Sequence, residues 1–334
     1  MKNQVHSFDD VLLAPKYSDI ESRSEVDLSR DLADKTYASP IVSSPMDTVT
    51  GLQMSLIFGE LGNLAITHRY CDEVEQSRMT PSFAAAAVGV TGDFMNRIEF
   101  LNGETGTTTF CLDVAHGHHV LVERALKAIK DKYGSGLTLI AGNVATPEGY
   151  KDLSEWGADA VRIGIGGGSI CSTRIQTGHG VPTFQSVLNC RDVDGAPIIA
   201  DGGVKTAGDI VKALAAGADF VMLGSMLAGT EQSPGEVFQS TAGKKYKVYR
   251  GMASVEAQKD WRGEARSLEG ISTTIPYKGC VIEILDNLTR NIKSGLSYSG
   301  ARNITELQAK AQFIAQTSAG QMESNTHILS RVGK

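Results

Sequence analysis

The sequence predicts an α/β chain folded as a (β/α)8 barrel. Three observations carry that expectation. Eight short runs rich in Ile, Val, Leu and Ala recur along the chain, as strands buried on both faces do. Amphipathic segments alternate with them. Polar residues and glycines then collect at the carboxyl end of run after run, which is where a barrel of this kind gathers its chemistry. The 334 residues suffice for one large barrel or two smaller domains. A doubly wound open sheet is the alternative, because eight parallel strands can also stay open.

The first run, 39–44, ends in Ser44-Pro45-Met46-Asp47, and the second, 63–68, in His68-Arg69. The third covers 83–90. The fourth, 107–114, leads into Asp113-Val114-Ala115-His116-Gly117. The fifth, 137–144, carries Gly142-Asn143 near its end. The sixth, 160–165, enters Gly164-Ile165-Gly166-Gly167-Gly168-Ser169-Ile170-Cys171-Ser172-Thr173-Arg174. The seventh, 197–200, leads to Asp201-Gly202-Gly203, and the eighth, 220–223, to Gly224-Ser225. Between them, 119–132 and 206–216 have helical periodicity, and Gly217 follows the second as a stop signal. Past the eighth run the pattern breaks. Residues 230–280 are polar, with Tyr246, Tyr249 and Trp261 and the basic cluster Lys244, Lys245, Lys247 and Arg250. They are expected to form a long loop or mobile flap over the site within a single catalytic domain spanning 1–334. The basic cluster reads equally as a solvated face or a ligand contact. Residues 305–314 are expected to be a final amphipathic helix.

Composition narrows the function classes. Hydrophobic content is 41% and charged content 21%, as in ordinary soluble globular chains. A net charge of −6 with dispersed Lys and Arg gives no general attraction to nucleic acid or membranes. Five cysteines, an odd number without CxxC spacing, fit a reducing, cytoplasmic setting better than a disulfide framework. No signal peptide or membrane-spanning run is visible.

The glycines after the sixth run allow close backbone approach to a ligand, and free amides beside Ser169 suit an anion. The loops after the seventh and eighth runs commonly form the phosphate site of a barrel. There the amides of Gly203 and Gly224 and the hydroxyls of Ser169 and Ser225 would cradle phosphate oxygens. The same glycines could instead serve only tight turns. Cys171 is a candidate nucleophile beside that site, helped by a helix N-terminus and by Arg174; the alternative is a buried, inert thiol. Cys111 lies inside an apolar run and reads as core. Asp201 could hold ribose hydroxyls or cap the next helix, and Asp113 could hold a ribose or amide group or cap a helix. His116, His118 and His119 lack further ligands that would suggest a metal.

Several of these segments together resemble the IMP dehydrogenase/GMP reductase family. They are 164–174, Ser44-Pro45-Met46-Asp47-Thr48-Val49, Ala200-Asp201-Gly202-Gly203 and Tyr249-Arg250-Gly251-Met252. Phe8-Asp9-Asp10-Val11-Leu12-Leu13 and Ser294-Gly295-Leu296-Ser297-Tyr298-Ser299-Gly300-Ala301-Arg302 belong to the same set. The resemblance covers nearly the whole chain and implies a tetrameric (β/α)8 barrel that binds a purine nucleotide monophosphate. Ser169, Gly203, Gly224, Ser225 and Tyr249 would hold its phosphate and Asp201 its ribose. Gly251, Met252, Glu269 and Gly270 would meet the base. Cys171 would attack purine C2, with a nicotinamide cofactor near Asp113, Asn143 and Thr173. The short link between His68 and Ser82 implies that the family's CBS module is absent.

The family divides between oxidation of IMP with NAD and reduction of GMP with NADPH. The dehydrogenases activate water with an Arg-Tyr pair in the flap. No tyrosine occurs here between Tyr249 and Tyr277, and the flap is short. Thr173 and Glu269 match the pair that handles ammonia in the reductases. The leading expectation is therefore a GMP reductase using NADPH, with an IMP dehydrogenase lacking CBS domains as the alternative. Segments 43–49, 294–302 and 317–325 look more like the dehydrogenases. In those enzymes potassium binds carbonyls, here those of Gly166, Gly168 and Cys171, with a neighbour's tail near Glu323. Arg69 stands where the family often has lysine, and Arg262 is a candidate substitute for the missing base. An FMN-dependent oxidase would leave Cys171 unexplained, and a non-catalytic nucleotide sensor would not need it.

Overall fold

Successive strand residues point to opposite faces, so a strand apolar on both faces needs cover on both. A computed structural model, describing residues 5–265 and 269–324, shows how this chain supplies it. The eight runs form β1 (Ile41–Ser43), β2 (Leu64–Thr67), β3 (Ala85–Val88), β4 (Thr109–Asp113), β5 (Thr138–Val144), β6 (Ala160–Ile163), β7 (Ile198–Asp201) and β8 (Phe220–Leu223). All are parallel, and one pairing decides the topology. Val221 of β8 lies opposite Ile41 of β1, and Leu223 opposite Ser43, which closes the barrel. The open doubly wound sheet is thereby overturned.

Val42, Ile66, Ala87, Cys111, Ile140, Ile199 and Met222 fill the barrel interior. Their strand neighbours, such as Ile41, Phe110, Leu112 and Val221, face the surrounding helices. Leu32 and Tyr37, from an antiparallel hairpin (Arg30–Leu32 with Lys35–Tyr37), join the inner cluster. Tyr37 meets Phe220, the first residue of β8, edge to face at 6.0 Å. The hairpin thus plugs the amino ends of the strands and leaves the carboxyl ends for function.

Local signals set the helices. Val120–Tyr133 starts at His119, whose ring accepts from the Leu121 amide, and stops at Gly134. Ala207–Ala215 starts at Thr206, which exchanges hydrogen bonds with Asp209 in a capping box. Between β2 and β3 the chain holds only the helix Glu73–Met79, so no CBS module is inserted there.

Two expectations need correction. Residues 230–280 are not an irregular loop. They contain the antiparallel sheet β9 (Phe238–Gln239), β10 (Lys245–Arg250) and β11 (Ser272–Pro276), and the helix Val255–Arg262 capped by Ser254. Their polarity hid this because the sheet is half-exposed and gains its order from cross-strand pairing. Residues 305–314 are not one helix either. The helix Ile304–Lys310 ends, and Phe313–Ala315 pairs with Val11–Leu13 near the other end of the chain. The long helix here is Val281–Tyr298, with Val281, Leu285, Leu288, Ile292 and Leu296 buried along one stripe.

Candidate active site

The loop that follows β6 can reach the end of β7 only because of glycine. Gly164 has φ +148°, and a Cβ there would stand 1.9 Å from the Asp201 carbonyl oxygen. Gly202, at φ +91°, is also tightly placed, since a Cβ there would stand 3.0 Å from the Gly167 carbonyl carbon. The 166–171 loop therefore lies backbone to backbone against the Asp201-Gly202-Gly203 turn.

The far side of that loop is stitched to the segment leading into β11. The Ser172 amide donates to the Glu269 carbonyl at 2.9 Å, and the Ile271 amide to the Ile170 carbonyl at 3.1 Å. Cys171 lies opposite Gly270. These contacts assemble a short chain of groups. The Cys171 thiol donates to the Thr173 hydroxyl at 3.1 Å, and that hydroxyl donates to the Glu269 carboxylate at 2.8 Å. A proton can pass between sulfur and carboxylate along it. Arg174 takes a different direction from the one expected. Its guanidinium donates to the Val181 carbonyl at 3.0 Å, and its stem covers Gly166 and Gly180.

A charged network forms the floor. Arg162, in β6, is 5% exposed and bridges two carboxylates, Asp113 at 2.7 Å and Asp201 at 2.9 Å. Burial opposes its charge, but Cys111, Asp201 and Asp113 raise its pKa well above the ordinary value. Asn143 donates to Asp201 and to the Gly164 carbonyl, both at 2.8 Å. Arg69 donates to the Asp113 carbonyl at 3.0 Å. Asp113 and Asp201 are thus tied into the site, while His119 and Thr206 cap the helices that follow.

On the opposite wall, Gly224 is packed so that a Cβ would meet the Met46 sulfur and the Tyr249 hydroxyl at 3.3 Å each. Burial raises the Tyr249 phenol pKa, and a hydrogen bond with Ser169 works against that. Met252 accepts the Asp47 amide at 3.4 Å. Together these walls enclose a cavity of about 450 Å³. Gly166, Gly168, Ser169, Cys171 and Thr173 line it, as do Asp113, Asn143, Asp201, Gly203, Gly224 and Ser225. Tyr249, Gly251, Met252, Glu269 and Gly270 complete the candidates named from the sequence, and all border the same space.

Ser44, Met46 and Arg69, noted at strand ends without an assigned role, also line it, as does Arg162, which sequence reasoning missed. Arg162 left a signal, a charged residue inside a strand buried on both faces. The basic cluster of 244–250 divides. Lys247 is buried, Arg250 pairs with Asp47 at 2.6 Å and Asp260 at 2.5 Å, and Lys244 and Lys245 are exposed. His118 pairs with Asp152 at 2.7 Å. Cys111 is wholly buried in the barrel, and burial pushes its thiol up to about 11. The Arg262 side chain, residues 266–268 and Asn325 lie outside the described residues.

Residues 5–327 match a family model described as the IMP dehydrogenase / GMP reductase domain. The chain belongs to that family. An inosine-5'-monophosphate dehydrogenase of Nitrosopumilus maritimus is 33% identical, with 96% of this chain and 98% of that protein covered. One from Halalkalibacterium halodurans is 48% identical over 255 residues, covering 72% of this chain and 52% of that protein. The match therefore spans about half the length of that bacterial relative. Among solved structures, a Cys-to-Ala variant of GMP reductase from Trypanosoma brucei, in complex with guanosine 5'-monophosphate, matches with TM-score 0.92. It is 29% identical, and the match covers 97% of this chain and 98% of that one. Membership of the IMP dehydrogenase/GMP reductase family makes the chain an oxidoreductase, from a family that uses nicotinamide dinucleotides. Among the described residues no helix is long and apolar enough to cross a membrane.

Proposed function

We propose that this chain reduces GMP to IMP and ammonia, using NADPH, through a covalent bond between Cys171 and purine C2. The observation that carries the reading is the hydrogen-bonded chain Cys171–Thr173–Glu269. The thiolate adds to C2 of GMP. Glu269, through Thr173, supplies the proton on which the C2 amine leaves as ammonia. The C2–N bond breaks and the C2–S bond remains. NADPH, when bound, would supply the hydride that C2 requires; the C2–S bond then breaks, IMP departs and the Cys171 thiolate returns. Asp113, Ala115 and Asn143 line the same cavity as Cys171, and Asp113 and Asn143 offer a carboxylate and an amide that fit a nicotinamide riboside. Asp201, held by Arg162 and Asn143, faces the nucleotide ribose. Gly203, Gly224, Ser225, Ser169 and Tyr249 bind its phosphate.

The sequence between Tyr249 and Tyr277 contains no tyrosine, so the dehydrogenases' water-activating pair has no counterpart. Arg250 is committed to Asp47 and Asp260. The alternative, oxidation of IMP with NAD, rests on the dehydrogenase names of the sequence relatives. Absorbance of reduced nicotinamide separates the two. It falls with GMP and NADPH under the proposal; a rise with IMP and NAD, and no change with GMP, sinks it. A homotetramer and a potassium ion on the Gly166, Gly168 and Cys171 carbonyls belong to the same proposal. Light scattering and activity with and without potassium test them.

A further inference from the structure

Lys247 is a charged side chain that the proposed reaction does not use. It sits in β10 and is 2% exposed. Its ammonium donates to three main-chain carbonyls, Thr230 at 3.1 Å, Glu231 at 3.5 Å and Ser233 at 2.5 Å. Among the described residues no carboxylate forms an ion pair with it. A buried ammonium is costly unless its donors are satisfied, and here backbone dipoles satisfy them. The positive charge is thus solvated but not cancelled.

The carbonyls belong to the segment that leaves β8 through Gly224 and Ser225. That segment is a run of tight turns. The Leu227 and Ala228 amides donate to the Gly224 carbonyl at 3.0 and 2.9 Å, and the Ser233 hydroxyl donates to the Thr230 carbonyl at 2.9 Å. Two residues along β10 from Lys247, Tyr249 is buried on the same face. Its hydroxyl stands at Gly224. One strand therefore meets the segment at both ends, its phenol packed beside Gly224 and its ammonium hydrogen-bonded at 230–233. Lys278, just past β11, adds a third hold by donating to the carbonyls of Ser225 and Met226.

We infer that Lys247 is a positioning residue for the phosphate end of the site. Its ammonium fixes the 224–233 segment and the height of the Tyr249 hydroxyl, and so sets the affinity for the nucleotide's 5'-phosphate rather than for its base or sugar. This inference rests on the reading of the cavity as a purine nucleotide site.

The test compares GMP with guanosine by calorimetry on the full chain, with matching KM and kcat measurements. Wild type must bind GMP much more tightly than guanosine; equal binding refutes the nucleotide reading itself, independently of Lys247. In Lys247→Met, GMP affinity is expected to fall about tenfold or more, with guanosine affinity and kcat changed by less than about threefold. Lys247→Arg, which keeps the charge, should recover much of the preference for GMP. Equal losses for GMP and guanosine show general loosening and overturn the inference, as does an unchanged GMP affinity. Should Lys247→Met fail to give a cooperative melt, Lys247→Gln, which keeps two donors without the charge, carries the same comparison.

Discussion

Cys171, Thr173 and Glu269 come from two loops 96 residues apart, yet stand in one hydrogen-bonded line. If sulfur forms the covalent bond, Cys171→Ala abolishes turnover while GMP still binds; residual turnover at the wild-type rate would refute the mechanism. Glu269→Gln keeps the shape but not the proton. Its kcat should fall by about two to four orders of magnitude, with KM for GMP little changed. His68 makes a separate point about pH. It is buried, and burial lowers its pKa below the ordinary 6.5. The unfolded chain then binds more protons than the folded one below about pH 6.5, so stability falls on acidification through that window. Thermal melts between pH 8 and pH 5.5 should show this slope, and His68→Gln should flatten it.

At the scale of elements, the site depends on ties between β10 and the barrel. Arg250 is held by Asp47, which follows β1, and by Asp260 in the helix Val255–Arg262. Trp261 of that helix meets Tyr70 edge to face at 5.4 Å, and Tyr70 follows β2. The segment after β8 is thus pinned to the loops after β1 and β2. Asp47→Asn removes the charge of the less exposed partner of Arg250. Limited proteolysis should then cut within 251–265 faster than in wild type, and an unchanged cleavage rate would show that the pair is not a fastening. The Thr206–Asp209 capping box is purely structural. Thr206→Ala should cost about 1 kcal/mol without changing KM or kcat.

For the molecule as a whole, the barrel is a packed interior plugged at one end and chemically open at the other. Arg162 sits at the boundary, above Cys111 and below the cavity. Arg162→Met leaves Asp113 and Asp201 facing each other without their shared cation. The expected loss is about 2 kcal/mol or more in denaturant melts, because Asp201 loses its ion pair while Asp113 keeps Arg69 at 3.5 Å. Arg162→Met with unchanged stability would mean that water already screens the pair.

The sequence by itself determined the eight strands and the family, because burial on both faces leaves a local trace in residue choice. Runs such as Ile140–Ala141 and Phe220–Leu223 need no distant partner to be recognised. The glycines that follow β6, β7 and β8 and Cys171 were legible for the same reason: their signal is written within a few residues. Closure was not, because the pairing of Val221 with Ile41 joins strands 180 residues apart and local pattern is the same in an open sheet. The sheet β9–β11 was hidden by its polar, half-exposed faces. Only the tertiary structure joined Arg162 to two carboxylates and buried Lys247 among carbonyls, and it gave Thr173 and Glu269, paired by resemblance, their 2.8 Å hydrogen bond. A charge reveals nothing of its partner in sequence; its meaning depends on which backbone and which opposite charge the fold brings to it.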